Sequence, residues 1–438
     1  MALKDCMGLS MAAIEPKAVD AISQFTVDLL SLGPNVPDVF KAAERHGDCP
    51  LLQIYSAMAY LYGQTDATIH KAGHYLDLVK PKLSQLPERE QLHYHAARQF
   101  AGKEYDTAMS TYEQLTESFP QDLLALKFCE FLYFLRGQQY SSQRFLKHTS
   151  RLRQHHADNP YFLSMHAFAQ TLSGQHQLAL ATADQAIESE AINPWAHHAL
   201  AHVYTTTGQM QIGQTRIEAL AELWPQSGWP IECHNVWHLL LLYIANGQPE
   251  KAEDGFRNKL WGKMPDTVGE QIDAISLLWR LELADYTVSM DLWRNLWPDI
   301  EQNANSILVP FLSAHYVYAL TKLGQADQVA ELFECVNAFA AKQTGHSQVI
   351  WFVGLALLQA VQAFAEQDYA KTVALLTSIV DKVWMVGGSD AQVDLFWQTY
   401  LQALIKSGKK SEAQALLTAR LGDRQPCLLE RDWLDALA

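Results

Sequence analysis

HHALAHVYTTTGQMQIGQ, residues 197–214, runs a helix-favouring segment into a Gly-Gln turn at Gly208 and starts a second helix behind it. The same turn returns along the chain. It is read in YGQTDATIHKA (Gly63), AGKEYDTAM (Gly102), RGQQYSSQ (Gly137), SGQHQLALA (Gly174), NGQPEKAE (Gly247), LGQADQVAE (Gly324) and SGKKSEAQA (Gly408). From Gly63 to Gly247 the successive gaps are 34–39 residues, and the 77 residues to Gly324 make two such periods with a degenerate turn near Ala284-Asp285. A Gly-less version, EQDYAKTVA (366–374), fills most of the span to Gly408. Pro120, Pro160 and Pro194 precede three of the following helices, where a ring with fixed φ is best tolerated. Helix, Gly turn, helix and a small residue five after the Gly, at this period, is the tetratricopeptide pattern. Each unit is unable to bury its apolar face alone, so neighbours must stack. The expected fold is all-α, a tetratricopeptide-like α-solenoid in which helical hairpins build a right-handed superhelix. One solenoid is expected over 1–438, with N-terminal repeats in 1–150 and the repeats of interest in 160–420.

Composition agrees with a packed chain. Of 438 residues 49% are apolar and only 18% charged, which excludes a disordered chain. Lys and Arg number 33 against 48 Asp and Glu, a net charge of −15 that gives no positive footprint for nucleic acid. The six cysteines, Cys6, Cys49, Cys129, Cys233, Cys335 and Cys427, show no C-x-x-C and read as reduced thiols packed like small apolar residues. MALKDCMGLSMAAIEP lacks the long apolar core of a signal peptide, and runs such as HLLLLYIA (238–245) are too short to span a bilayer. The expected location is cytoplasmic, without membrane contact.

The repeat also says which helix face is open. With the turn Gly at position 15, the first helix keeps positions 4, 7, 8 and 11 for packing. Positions 2, 5, 6, 9 and 13 then lie on the opposite arc, the one solenoids turn toward their concave groove. Counted from Gly208, this arc holds His198 and His202; from Gly247, His234, Trp237 and His238; from Gly324, His315 and Tyr318. Asp273 falls near the start of the intervening helix on the same arc. His166, counted from Gly174, occupies packing position 7 and reads as a core histidine.

His198/His202 and His234/His238 are i, i+4 pairs, which set both rings on one helix face. Together with Asp273 or His315 they supply enough N and O ligands for a divalent metal such as Zn or Fe. Without a metal, imidazoles oriented by Asp273 suit general acid–base work near neutral pH, walled by Trp195, Trp237 and Trp279. A third reading makes them hydrogen-bond partners across helices. Neither G-x-S-x-G, a P-loop nor G-x-G-x-x-G is present. Gly387-Gly388-Ser389 ahead of Asp390 reads as a helix start with Ser389 as N-cap, a place suited to an anion, and Arg280 suits the same charge.

The blocks HHALAHVYTTTGQ (197–209), CHNVWHLLLLYIANGQPEKA (233–252), Asp273 ahead of LLWRLEL (277–283), SAHYVYAL (313–320) and GGSDAQVD (387–394) resemble the tetratricopeptide repeat protein 38 family over about residues 190–420. The resemblance implies site positions at His202, His234, Asn235, Trp237, His238, Asp273, Arg280, His315, His346, Gly387, Gly388, Ser389, Gln392 and Asp394. It departs at Thr205, where the family tends to carry Glu, and at Val393, where it tends to carry Arg. The family has no general activity to transfer. Two functions stay open. One is a His/Asp/Trp-lined pocket for a small polar molecule, with His202, His234, His238 and Asp273 as catalytic groups and His198, His202, His234 and His238 as the groups for a metal. In it His198, Trp195, Trp237, Arg280, His315, His346, Ser389, Gln392 and Asp394 are contacts. The other is a non-catalytic scaffold that takes a peptide of a protein partner in its groove.

Overall fold

The computed structural model describes residues 3–11 and 16–438. Among them the regular structure is helical throughout, apart from one isolated antiparallel bridge between Lys4 and Ser10. The fold is all-α and built of tetratricopeptide-like helical hairpins.

The repeat is written in backbone angles as well as in letters. A residue with left-handed φ closes each hairpin's first helix: Gln64, Lys103, Gly137, Gly174, Gly208, Gly247, Asp285, Gly324, Gln367 and Gly408, spaced 34–43 residues apart. At Gly208 φ is +74°, a conformation that costs a side chain about 1 kcal/mol or more. Asp285 (φ 55°) and Gln367 (φ 63°) accept that cost in the two turns without Gly, so the degenerate turn and the Gly-less turn are true repeat turns.

Helix starts follow ordinary capping chemistry. Asn159 accepts hydrogen bonds from the N–H groups of Tyr161 and Phe162, with Pro160 as the first helical residue. First helices of the hairpins are buried almost all round, as in Leu123–Leu135 and Val268–Leu283, while their second helices bury a single stripe.

The chain divides into two compact units. The first comprises residues up to Leu135, Ser141–Ala199 and Leu223–Glu232. Its hairpins include Pro50–Leu61 with Asp66–Val79, Glu88–Ala101 with Tyr105–Ser118, and Pro160–Leu172 with His176–Ser189. A buried ionic cluster ties it together. Arg89 meets Asp5 at 2.9 Å and Asp122 at 2.6 Å, and Asp122 also holds His93 at 2.8 Å. His166 is buried with Nδ1 2.9 Å from Thr149 Oγ1, the core role its packing position predicts.

The second unit comprises Arg136–Tyr140, Leu200–Glu222 and Cys233–Ala438. Its hairpins are Val268–Leu283 with Met290–Asn303, Pro310–Lys322 with Ala326–Ala340, Gly345–Ala365 with Tyr369–Leu376, and Asp390–Lys406 with Lys410–Leu421, followed by the helix Leu428–Leu437. The first helices pack in succession, and Gly354 lets the Gly345 helix approach so closely that an added Cβ would fall 2.4 Å from Pro310. The Val268–Leu283 helix also packs on the Asp390–Lys406 helix, more than a hundred residues on. Gly345–Ala365 alone among the described helices is long and apolar enough to cross a membrane, yet more than half of it is buried, as in a core helix. Among the described residues none of the six cysteines is joined in a disulfide.

Candidate functional site

Four residues of the Trp229–Ala245 helix, His234, Trp237, His238 and Leu241, follow the i, i+3, i+4, i+7 rule and form one stripe. On that stripe the His234 ring stacks on Trp237 at 5.2 Å between centroids, and His238 stands edge-on to His234 at 4.8 Å. The Pro194–Thr206 helix adds His202, whose ring lies 4.5 Å from that of His238. Three of the predicted imidazoles are therefore linked through His238 in the second unit.

Two carboxylates orient them. His234 Nδ1 is 2.9 Å from Asp273 Oδ2, and His202 Nδ1 is 2.7 Å from Asp390 Oδ1. Burial alone would push the Asp390 carboxyl up. The His202 ring beside it, with the Ala391 N–H and the Thr206 hydroxyl, outweighs burial and holds Asp390 below the usual carboxylate range. Engaging Nδ1 with a carboxylate is how a histidine is oriented either as a base or as a metal ligand through Nε2. His202 and His238 are fully buried, whereas the His234 side chain keeps 20% of its surface exposed.

Beside Asp390 opens a cavity of about 330 Å³. The Val268–Leu283 helix contributes Arg280, the Asp390–Lys406 helix Asp390, Asp394 and Gln398, and the C-terminal stretch Arg420, Arg424, Glu430 and Trp433. Thr205 and Thr206 close one polar edge, and Met210, Leu241, Ile244 and Leu429 form an apolar wall. Arg280 is 3% exposed and donates to the Ala391 carbonyl at 2.6 Å, with Asp394 at 3.6 Å. Burial pulls its guanidinium down to about 9. Its flat face lies over Trp237, 5.8 Å from the ring, which connects the cavity to the histidine stripe.

Each of the other predicted residues has contacts of its own. His315 is sealed among Trp279, Phe311 and Phe396, with Nδ1 on the Phe311 carbonyl at 2.9 Å, and burial pushes it down to about 4. His346 stacks on Tyr140 at 5.2 Å, a ring that also meets Trp384. Ser389 is the N-cap of its helix, and it and Gln392 engage each other's backbone N–H in a capping box. His198 and Trp195 belong to the first unit, where His198 meets Phe168 at 4.8 Å and Trp195 at 5.8 Å, edge-on to both. Lys127 sits over the Trp195 ring at 3.2 Å.

Sequence reasoning passed over Asp390, Arg420, Arg424, Glu430 and Trp433. Asp390 had a signal, being the first-turn acid directly behind the Ser389 cap. The C-terminal residues had none, because they lie outside the first-helix positions that the repeat count inspects.

No protein-family model matches the chain. Among solved structures it is similar to the crystal structure of the P58(IPK) TPR domain, at 11% identity over 80% of this chain and 97% of that one, with a TM-score of 0.21.

Proposed function

We propose that this chain is a recognition protein of the tetratricopeptide kind, a scaffold that engages a protein partner through its stacked hairpins. The observation that carries this reading is the regular return of the left-handed turn residue from Gln64 to Gly408, because a stack of equivalent hairpins is an architecture for presenting surface. Cross-linking in cells followed by purification should return one stoichiometric protein partner. Its binding should survive the double replacement of His234 and His238 by Ala. Purified full-length protein that gives no such partner would overturn the scaffold reading.

A second reading has its own support. The His234–Asp273 contact, on the least buried of the three clustered imidazoles, is the arrangement of an oriented general base. In this reading the second unit takes a small polar molecule and acts on it, with His202 and His238 beside the base. Asp273→Asn should then abolish turnover with little change in ligand binding. We also propose, on the C-H-N-x-W-H and G-G-S-x-A-Q-x-D blocks, that the chain is a relative of the tetratricopeptide repeat protein 38 family.

A further inference from the structure

The cavity lining carries three guanidiniums, Arg280, Arg420 and Arg424, and three carboxylates, Asp390, Asp394 and Glu430, but their contacts are unequally shared. Glu430 is engaged by Arg424 through paired contacts, Nη1 to Oε2 at 2.7 Å among them, and Asp390 is engaged by His202 and Thr206. That leaves Asp394 as the one lining carboxylate for two guanidiniums, Arg280 at 3.6 Å on Oδ2 and Arg420 on Oδ1. Arg280 also donates to the Ala391 carbonyl at 2.6 Å, the Gln392 carbonyl at 3.5 Å and Ser276 Oγ at 3.4 Å, all uncharged. A buried guanidinium whose one carboxylate contact is shared with a second arginine has room for a further anion, which would form charge-assisted hydrogen bonds between the two.

The lining also includes apolar side chains, Met210, Leu241, Ile244 and Leu429. Trp433 adds an indole whose N–H has no hydrogen-bond partner among the described residues. At about 330 Å³ the space is at the small end for a ligand site, too small for a folded-over peptide.

We propose that this cavity binds a small organic monocarboxylate with an apolar body, its carboxylate between Arg280 and Arg420 and its body against Leu241, Ile244 and Trp433. The proposal deepens the small-molecule reading above and rests on it for the presence of a ligand, but it requires no turnover by the histidines. Binding and chemistry therefore fail separately.

The test uses the full chain, isothermal titration calorimetry and melting curves. The probes are octanoate and 3-phenylpropionate, with their uncharged amides and inorganic phosphate as comparisons. At least one acid should bind and raise the melting temperature. Its amide should bind roughly 10- to 100-fold more weakly, the loss of one charge-assisted pair. Arg280→Met should lose acid binding by the same factor while the ligand-free variant melts at or above the wild-type temperature, because it no longer buries an underpaired cation. Arg420→Gln, at the more exposed of the two, should weaken the acid without touching the core. Acid binding with no turnover of any acid keeps this proposal and removes the catalytic reading. The proposal is overturned if neither acid binds, if acid and amide bind equally, if phosphate competes as well as the acids do, or if Arg280→Met melts well below wild type.

Discussion

His202 Nδ1 stands 2.7 Å from Asp390 Oδ1 across 188 residues of chain. The contact ties the end of one repeat helix to the first turn of another, and Asp390 on its other side faces the cavity that holds Arg280. A fully buried imidazole is thereby coupled to a lining carboxylate, so a change at one must be felt at the other.

Replacing Asp390 by Ala tests that coupling. It removes the acceptor of a buried His202 nitrogen and of the Thr206 hydroxyl, and an unsatisfied buried donor costs about 1–3 kcal/mol. Urea unfolding should show a loss of that size. Thr206→Val, which removes only the outer contact, should cost well under half as much.

The turn residues give a graded series. Gly137 has φ +89°, and an added Cβ would lie 2.3 Å from the Trp384 carbonyl oxygen, so Gly137→Ala combines strain with a backbone clash and should cost about 3 kcal/mol or more. Gly408 has φ +77° with nothing within 4 Å, and Gly408→Ala should cost only the conformational part, about 1 kcal/mol. The reverse change, Gln367→Gly, relieves a left-handed side chain and should stabilise by about 0.5 kcal/mol in the same urea assay.

Acid should destabilise the fold in a defined window. Burial pushes His148, His166 and His315 down to about 4 from an ordinary 6.5. The unfolded chain binds a proton at each near pH 6.5 that the native state refuses until about pH 4, so stability falls as pH drops through this interval and is flat above it. Each ring contributes on the order of 3 kcal/mol by the bottom of the window. His315→Leu should flatten the slope of unfolding free energy against pH between 6.5 and 4 by about one proton. An unchanged slope would mean that the ring is not kept neutral.

The ionic cluster of the first unit should respond asymmetrically. Arg89→Met strands Asp5 and Asp122 in the interior and should cost about 3–5 kcal/mol in denaturant. Replacing Lys103, whose partner Asp66 is half exposed, should change stability by less than about 1 kcal/mol.

What the sequence determined by itself was the repeat. Period, turn residue and small-residue spacing are local properties of a backbone that must reverse every two helices, so the all-α hairpin fold, the turn at Asp285 and the core role of His166 could be counted out from Gly208 and Gly174. The same counting put His202, His234 and His238 on one arc, because 3.6 residues per turn is a local rule too. Which carboxylate answers which imidazole was a different matter. Asp390 reaches His202 across 188 residues, and Arg280 reaches Ala391 and Asp394 because the Val268–Leu283 helix packs on a helix that is not its neighbour in sequence. The arginines and Trp433 of the C-terminal stretch join the cavity by that folding-back, and no periodicity records a contact between helices whose meeting is set by packing.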